Sequence, residues 1–354
     1  MKKLLVLLLS LLMLTACGGK NDEAADNAKN NAAANTQNTA EETEEETTGG
    51  ATGTITLYTS QPEQDAQMLV DEFKKSNPDA EVMVFRSGTE EVVSKILAEK
   101  EVGDVQADVI LVADTVTFQT LKEKDILMSY DSKELANIDE EFYDKDKFYA
   151  ATKIISTGIV VNTELYDGEV TGFKSLTDPA LKDNTIMPSP LYSGAAAYNL
   201  GVLTRTDGLG WEYYQALKDN GILVDKGNGA IQTAVVAGQK AAGILVDYMA
   251  MRSKAEGAPV EFIYPEEGSP YVTEPIGIAK GTENEELAKA FFDFVISKEG
   301  QELASSMGYT PIRSDVATPE GLKGADELKT IAADEQTLLE NRTADKEEFA
   351  KLFQ

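Results

Sequence analysis

Apolar and polar positions follow two recurring rhythms along this chain. Short extended runs, Ile55 to Thr59, Val82 to Phe85 and Ala107 to Val112, are separated by stretches whose apolar residues sit near helical spacing. Met68, Leu69, Val70 and Phe73 make one such stretch, and Val92, Val93, Ile96 and Leu97 the next. A Ser76-Asn77-Pro78-Asp79 turn ends the first helix, and Ser87 or Thr89 is placed to cap the second. Strands alternating with helices of this length predict a mostly parallel sheet covered on both faces. The ligand of such a sheet lies beyond the carboxyl ends of its strands, which here carry Thr59-Ser60-Gln61, Arg86-Ser87-Gly88-Thr89 and Ala113-Asp114-Thr115.

The rhythm resumes after Ile154 to Asn162, a long extended run suited to crossing between two lobes. Beyond it lie the stretch SPLYSGAAAYN (189–199), a helix over 211–220, an amphipathic segment over 230–237 and a strand from Ala242 to Val246. Pro275 to Ala279 returns as a second crossing. A helix over 285–296, with Leu287, Ala290, Phe291, Phe294 and Val295 on one side, then covers the first lobe. No internal repeat is present. Two crossings predict a hinged pair of lobes, and about 300 residues suffice for two cores.

The N-terminus has a different pattern. Lys2 and Lys3 precede an apolar run from Leu4 to Leu14, then Thr15-Ala16-Cys17. The run is shorter than the roughly 20 residues a membrane span needs, so it reads as a secretory signal. Its end resembles the lipobox of bacterial lipoproteins, which implies diacylglycerol on Cys17. Residues 18–53 hold no aromatic or branched aliphatic side chain and include Glu41-Glu42-Thr43-Glu44-Glu45-Glu46. Such a segment cannot offset an ordering cost of about 1–2 kcal/mol per residue, and it reads as an acidic tether.

Composition removes several functions. The 61 acidic residues against 32 basic ones, a formal net charge of −29, argue against nucleic acid or anionic lipid as a partner of the body. There is no histidine, so neither a Ser-His-Asp triad nor an imidazole base is available. Cys17 is the single cysteine, which excludes disulfides, thiolate metal sites and a cysteine nucleophile in the body. The stretch GNGA at 227–230 lacks P-loop spacing and its lysine, and reads as a turn. A carboxylate pair for glycoside chemistry arises by chance among so many acids. The chain is read as a non-enzyme.

The order of several short blocks resembles a known family. LYTSQPEQDA, RSGTEEVVSKILAE, ADVILVAD, GIVVNTELY, SLTDPALKDN, the Ser193-Gly194-Ala195 step and AVVAGQKAAGILVDYMA follow one another over Thr54 to about Pro319. Together with the lipobox and acidic spacer they resemble an extracellular solute-binding lipoprotein of a bacterial ABC importer. The subgroup is that of ferric-iron, phosphonate, sugar-phosphate and thiamine receptors. The resemblance implies an α/β, two-lobed periplasmic-binding-protein fold, type II-like, with a hinge and an interlobe ligand cleft. Its parts are a signal peptide (1–16), the lipidated cysteine and tether (17–53), a first α/β lobe (54–155 plus 275–305) and a second lobe with C-terminal helices (156–274 plus 306–354). It implies ABC permease subunits and a small anionic solute as partners, a lipid-anchored monomer on the outer side of the cytoplasmic membrane, and no cofactor.

Physical chemistry and resemblance meet at two Ser-Gly steps. Unpaired amides at a helix start, a glycine permitting close approach and a serine hydroxyl together favour a tetrahedral anion, as at Ser193, Gly194 and Ala195. Ser87, Gly88 and Thr89 form a second such nest on the other lobe. Both serines also read simply as helix caps. Arg86 is the foremost charge partner, ahead of Arg205, Lys226 and Arg252, while Asp247 or Glu274 accepts from an amine or hydroxyl of the guest. Ser60, Gln61 and Asp114 at strand ends, with Tyr198 and Tyr248, complete the candidate site.

Ferric members of the subgroup carry two adjacent tyrosines after the strand matching Ile244 to Val246. This chain reads Asp247-Tyr248-Met249 there, and a thioether is a poor ligand for a hard trivalent ion. Ferric ion with phosphate or carbonate, held through Tyr248 and Glu274, remains an alternative. So does thiamine or thiamine phosphate against Tyr192, Tyr198, Tyr248 and Tyr271. The acidic surplus opposes neither an anion nor its capture, because surface charge is screened over about 8 Å in physiological salt.

Overall fold

The computed structural model describes residues 50–354. The expected leader, Cys17 and nearly all of the tether lie outside the described residues. The strands are β1 (Gly53–Thr59), β2 (Ala80–Arg86), β3 (Val109–Leu111), β4 (Leu127–Met128), β5 (Ile155–Asn162), β6 (Thr185–Pro188), β7 (Leu223–Asp225), β8 (Ala242–Val246), β9 (Val260–Ile263), β10 (Tyr271–Val272) and β11 (Ile276–Ala279). The helices are α1 (Glu63–Ser76), α2 (Thr89–Val102), α3 (Thr115–Glu123), α4 (Gly194–Leu203), α5 (Gly210–Asp219), α6 (Asn228–Val236), α7 (Asp247–Ala255), α8 (Glu285–Ile296), α9 (Lys298–Ser306) and α10 (Glu335–Phe353).

Two sheets organise these elements. One has the order β2-β1-β3-β11-β4, with β1 parallel to β2 and β3 and β11 antiparallel to its neighbours. The other runs β10-β5-β8-β6-β7, and β9 also pairs with β5. Every residue of β5 is buried, the polar Ser156, Thr157 and Asn162 included, so both faces of this central strand are covered. The α8 helix buries Leu287, Phe291 and Val295 over the first sheet, where Phe291 meets Phe73 of α1 edge-on at 5.0 Å. Each fully buried side chain of this kind stabilises by about 1.5–3 kcal/mol.

The crossings run side by side between the sheets. Thr152 and Lys153 donate their amides to the Thr273 carbonyl at 3.1 and 3.3 Å, and Thr152 Oγ1 donates to the Glu274 carbonyl at 2.7 Å. The buried Lys153 ammonium and Glu274 carboxylate pair at 2.5 Å. Because the two strands are bonded to each other, rotation of one half against the other is confined to their few linking residues. The α10 helix packs on α4 and α5 of the second half and on α3 of the first. The sequence reading groups it, within 306–354, with the second lobe and C-terminal helices.

Candidate functional site

Parallel strands deliver their carboxyl ends, and the starts of the helices that follow them, to one side of each sheet. The two halves turn these sides toward each other. Between them lies a cavity of about 230 Å3. The first half lines it with Ser60, Pro62, Arg86, Gly88, Thr89 and Ala113; the second with Tyr192, Ser193, Gly194, Ala195, residues 226–230 at the start of α6, Val246, Tyr248 and Met249. Ile155, Val272 and Glu274 contribute from the crossings.

The N-termini of α2, α4 and α6 meet at this cavity. Gly88, Ser193 and Gly227 are their capping residues. Among the described residues, the amides of Gly88, Thr89, Gly194, Ala195, Asn228 and Gly229 donate to no protein acceptor. Each helix end places partial positive charge and free N–H donors at the cavity wall. Arg86 and Lys226 add full charges. The Arg86 Nε donates to the Gln61 carbonyl at 2.8 Å, and the Lys226 ammonium lies 5.4 Å from the Tyr192 ring centroid.

Glu274 is the single acid among the lining residues, and Lys153 neutralises it. Gln61 is buried behind it rather than in the wall: its Nε2 donates to Glu274 at 3.3 Å. The Ser193 hydroxyl accepts from the Ala196 amide at 3.3 Å, so this serine caps α4 and borders the cavity at once.

Several expected residues face elsewhere. Gly88, not Ser87 or Thr89, caps α2, and the Ser87 hydroxyl turns outward to Glu91. Asp114 caps α3 by accepting from the Thr117 amide at 2.8 Å and pairs with Arg342 at 2.8 Å. It lines a separate cavity of about 960 Å3 together with Tyr198 and Tyr271, which divides the tyrosines between two chambers. Asp247 is buried beneath the start of α7, where it accepts from the amides of Ser156 and Tyr248 at 3.3 and 2.8 Å. Burial pushes its carboxyl up to about 7, against the lowering effect of those donors. Of the lesser candidates, Arg205 pairs with Asp345, and Arg252 pairs with Asp65 across the two halves at 2.9 Å.

Tyr248 and Glu274, the residues of the ferric alternative, both reach this cavity. The Tyr248 ring packs on Tyr309 at 4.3 Å and under the Arg252 guanidinium, and burial raises its phenol further. Among the described residues no group of three or more histidine, cysteine, aspartate or glutamate side chains is placed to hold a metal ion.

Of residues 226–230 the sequence offers only Lys226 as a site residue; Gly227-Asn228-Gly229, read there as a turn, is not among the expected ones. Its signal was present: Gly227-Asn228-Gly229 directly precedes an amphipathic segment, as Ser193-Gly194 does. The absence of P-loop spacing excludes a P-loop, but not an amide nest at a helix start.

Comparison with known proteins agrees with this architecture. The model of the bacterial extracellular solute-binding proteins matches residues 68–330. The chain belongs to that family. Proteins of this family bind small solutes for ABC permeases outside the cytoplasmic membrane and are not enzymes. A Haemophilus influenzae protein is 30% identical over 243 residues, spanning 65% of this chain and 69% of the relative. A putrescine/cadaverine-binding protein of Pseudomonas aeruginosa is 28% identical over 283 residues, or 71% and 76% of the two chains. The periplasmic binding protein AfuA of Actinobacillus pleuropneumoniae, determined with fructose-6-phosphate bound, superposes with a TM-score of 0.79 at 25% identity, covering 85% of this chain and 98% of AfuA.

Among the described residues no helix is long and apolar enough to cross a membrane.

Proposed function

We propose that this solute-binding protein captures a small molecule bearing a phosphate or phosphonate group and delivers it to its permease. The carrying observation is the convergence of the α2, α4 and α6 N-termini with Arg86 and Lys226 on one cavity whose lone acid is already paired. Free amides preorganised around an anion need little rearrangement on binding, and charge-assisted bonds are the strong ones. The AfuA likeness supports the same class of solute. The relative that binds putrescine and cadaverine raises a diamine instead, but a diamine needs free carboxylates where this cavity presents amides and cations.

A micromolar guest requires only about 8 kcal/mol of net binding free energy, which a few such bonds supply. Thermal unfolding with phosphate, 2-aminoethylphosphonate, a hexose phosphate, thiamine, putrescine and ferric ion plus phosphate tests the reading. Ligand at a hundred times its Kd adds about 2.7 kcal/mol of stability. A rise with phosphate- or phosphonate-bearing compounds without metal is the expected result; a rise confined to putrescine or ferric ion contradicts it.

The tether completes the reading. Cleavage after Ala16 and diacylglycerol on Cys17 hold a monomeric receptor at the outer face of the membrane. Replacement of Cys17 by serine is expected to release the protein from membranes; retention in the membrane fraction contradicts the anchor.

A further inference from the structure

Glu90 lies in the first turn of α2, directly after Thr89 in the cavity wall. Its amide donates to the Tyr192 carbonyl across the cleft at 3.3 Å. A carboxylate at this place opposes an anion bound at the same helix end, unless something cancels it. The cancelling charges come from the far end of the chain. Arg342 Nη2 stands 2.9 Å from Glu90 Oε1, and Lys346 Nζ 2.7 Å from Oε2. These cations are one helical turn apart on α10, so they address the two oxygens of one carboxylate.

The same helix is fixed to the other half. Asp345 accepts from Arg205, just past the end of α4, at 2.7 and 3.2 Å, and Phe349 packs edge-on to Tyr214 of α5. Leu338 joins Val116 of α3 and Val202 of α4 in a small apolar cluster. Thus α10 ties α4, whose start carries Ser193 and Gly194, to α2, whose start carries Gly88 and Thr89. Arg342 also holds Asp114 at 2.8 Å and Thr117 Oγ1 at 3.2 Å. These pairs are largely shielded from water, with 13% exposure for the Arg342 side chain and 14% for Glu90, so screening removes little of them.

We infer that Arg342 and Lys346 are positioning residues of the anion site: they cancel Glu90 and hold the start of α2 against Tyr192, so that anion preference and lobe closure both depend on the C-terminal helix. The inference rests on the anion-binding reading of the cavity. It gives α10, which contributes no residue to the cavity wall, a part in choosing the sign of the guest.

A double-mutant cycle of Lys346→Met and Glu90→Gln tests it, read by calorimetric titration with inorganic phosphate and a hexose phosphate and by small-angle scattering of the full protein. Lys346→Met should weaken the anion about five- to tenfold, the lower range of coupling between sites, and enlarge the radius of gyration of the ligand-bound form. Glu90→Gln should tighten the anion, and the double variant should return toward wild type. A purely structural role of Lys346 would lower the unfolding midpoint without rescue by Glu90→Gln. Wild-type binding with no coupling in the cycle overturns this inference alone. Failure of the wild-type protein to bind either probe overturns the anion reading together with it.

Discussion

A Cβ on Gly88 would stand 2.7 Å from both the ring and the carbonyl oxygen of Tyr192. Its counterpart on Gly194 would stand 2.8 Å from Thr89. The two Ser-Gly steps therefore face each other, and each glycine leaves room for the opposite half. Gly88 has φ −64° and ψ 152°, a conformation any residue adopts, so alanine there introduces a clash without backbone strain. Gly88→Ala is expected to hold the halves apart and weaken solute binding about ten- to hundredfold, with the unfolding midpoint of the free protein little changed. Titration calorimetry with unfolding controls checks it; unaltered affinity means the cleft does not close on its guest in this way.

Ser193 has two separable roles. As the cap of α4 it accepts from Ala196, and its hydroxyl hydrogen is available to a guest in the cavity. Ser193→Ala should cost about 1 kcal/mol of stability and some affinity. Ser193→Gly keeps the cap within a few tenths of a kcal/mol and removes the hydroxyl. Affinity lost equally in both variants, with stability lost in alanine alone, identifies a contact to the solute; no loss of affinity in glycine identifies a cap only.

Lys226 and Arg86 give the cavity its full charges. Hydrogen bonds to charged groups contribute about 1.5–3 kcal/mol, so Lys226→Met should weaken an anionic guest about tenfold or more. The same substitution should reduce the salt dependence of binding. Equal binding in wild type and Lys226→Met, measured at low and high salt, removes Lys226 from the site.

The buried Asp247 makes stability depend on pH. Its carboxyl is raised in the folded protein to about 7 from the ordinary 3.8, so the native state holds more protons than the unfolded one between these values. The stabilisation is fully present below about 4, declines as pH rises, and is lost above about 7, an effect on the order of a few kcal/mol. Asp247→Asn keeps an acceptor for the Ser156 and Tyr248 amides and removes the titration. Denaturant unfolding between pH 4 and 8 should show a falling stability in the wild type that flattens in Asp247→Asn; parallel profiles contradict this assignment.

The sequence was most readable where one residue's chemistry sufficed. Alternating strands and helices, the crossings at Ile154 and Pro275 and the covering helix over 285–296 all follow from local periodicity, and the structure shows them. Ser193, Gly194 and Gly88 were legible because a small residue before a helix signals a free helix end. Side-chain direction was not. Asp114 and Ser87 occupy the expected strand ends, yet one turns to Arg342 and the other to Glu91, partners placed by tertiary packing. Asp247 follows its strand as expected but is drawn inward by the Ser156 amide of the neighbouring β5. The part of α10 was invisible, because nothing local in residues 335–353 tells that Arg342 and Lys346 close on Glu90, more than two hundred residues away.

The central claim is the sign of the guest. Calorimetric titration of the protein with a hexose phosphate and with putrescine, each repeated on Lys226→Met, addresses it most directly. The phosphate ester is expected to bind at micromolar or better, more weakly to Lys226→Met, and putrescine to give no heat. Binding of putrescine with indifference to the phosphate ester would contradict it.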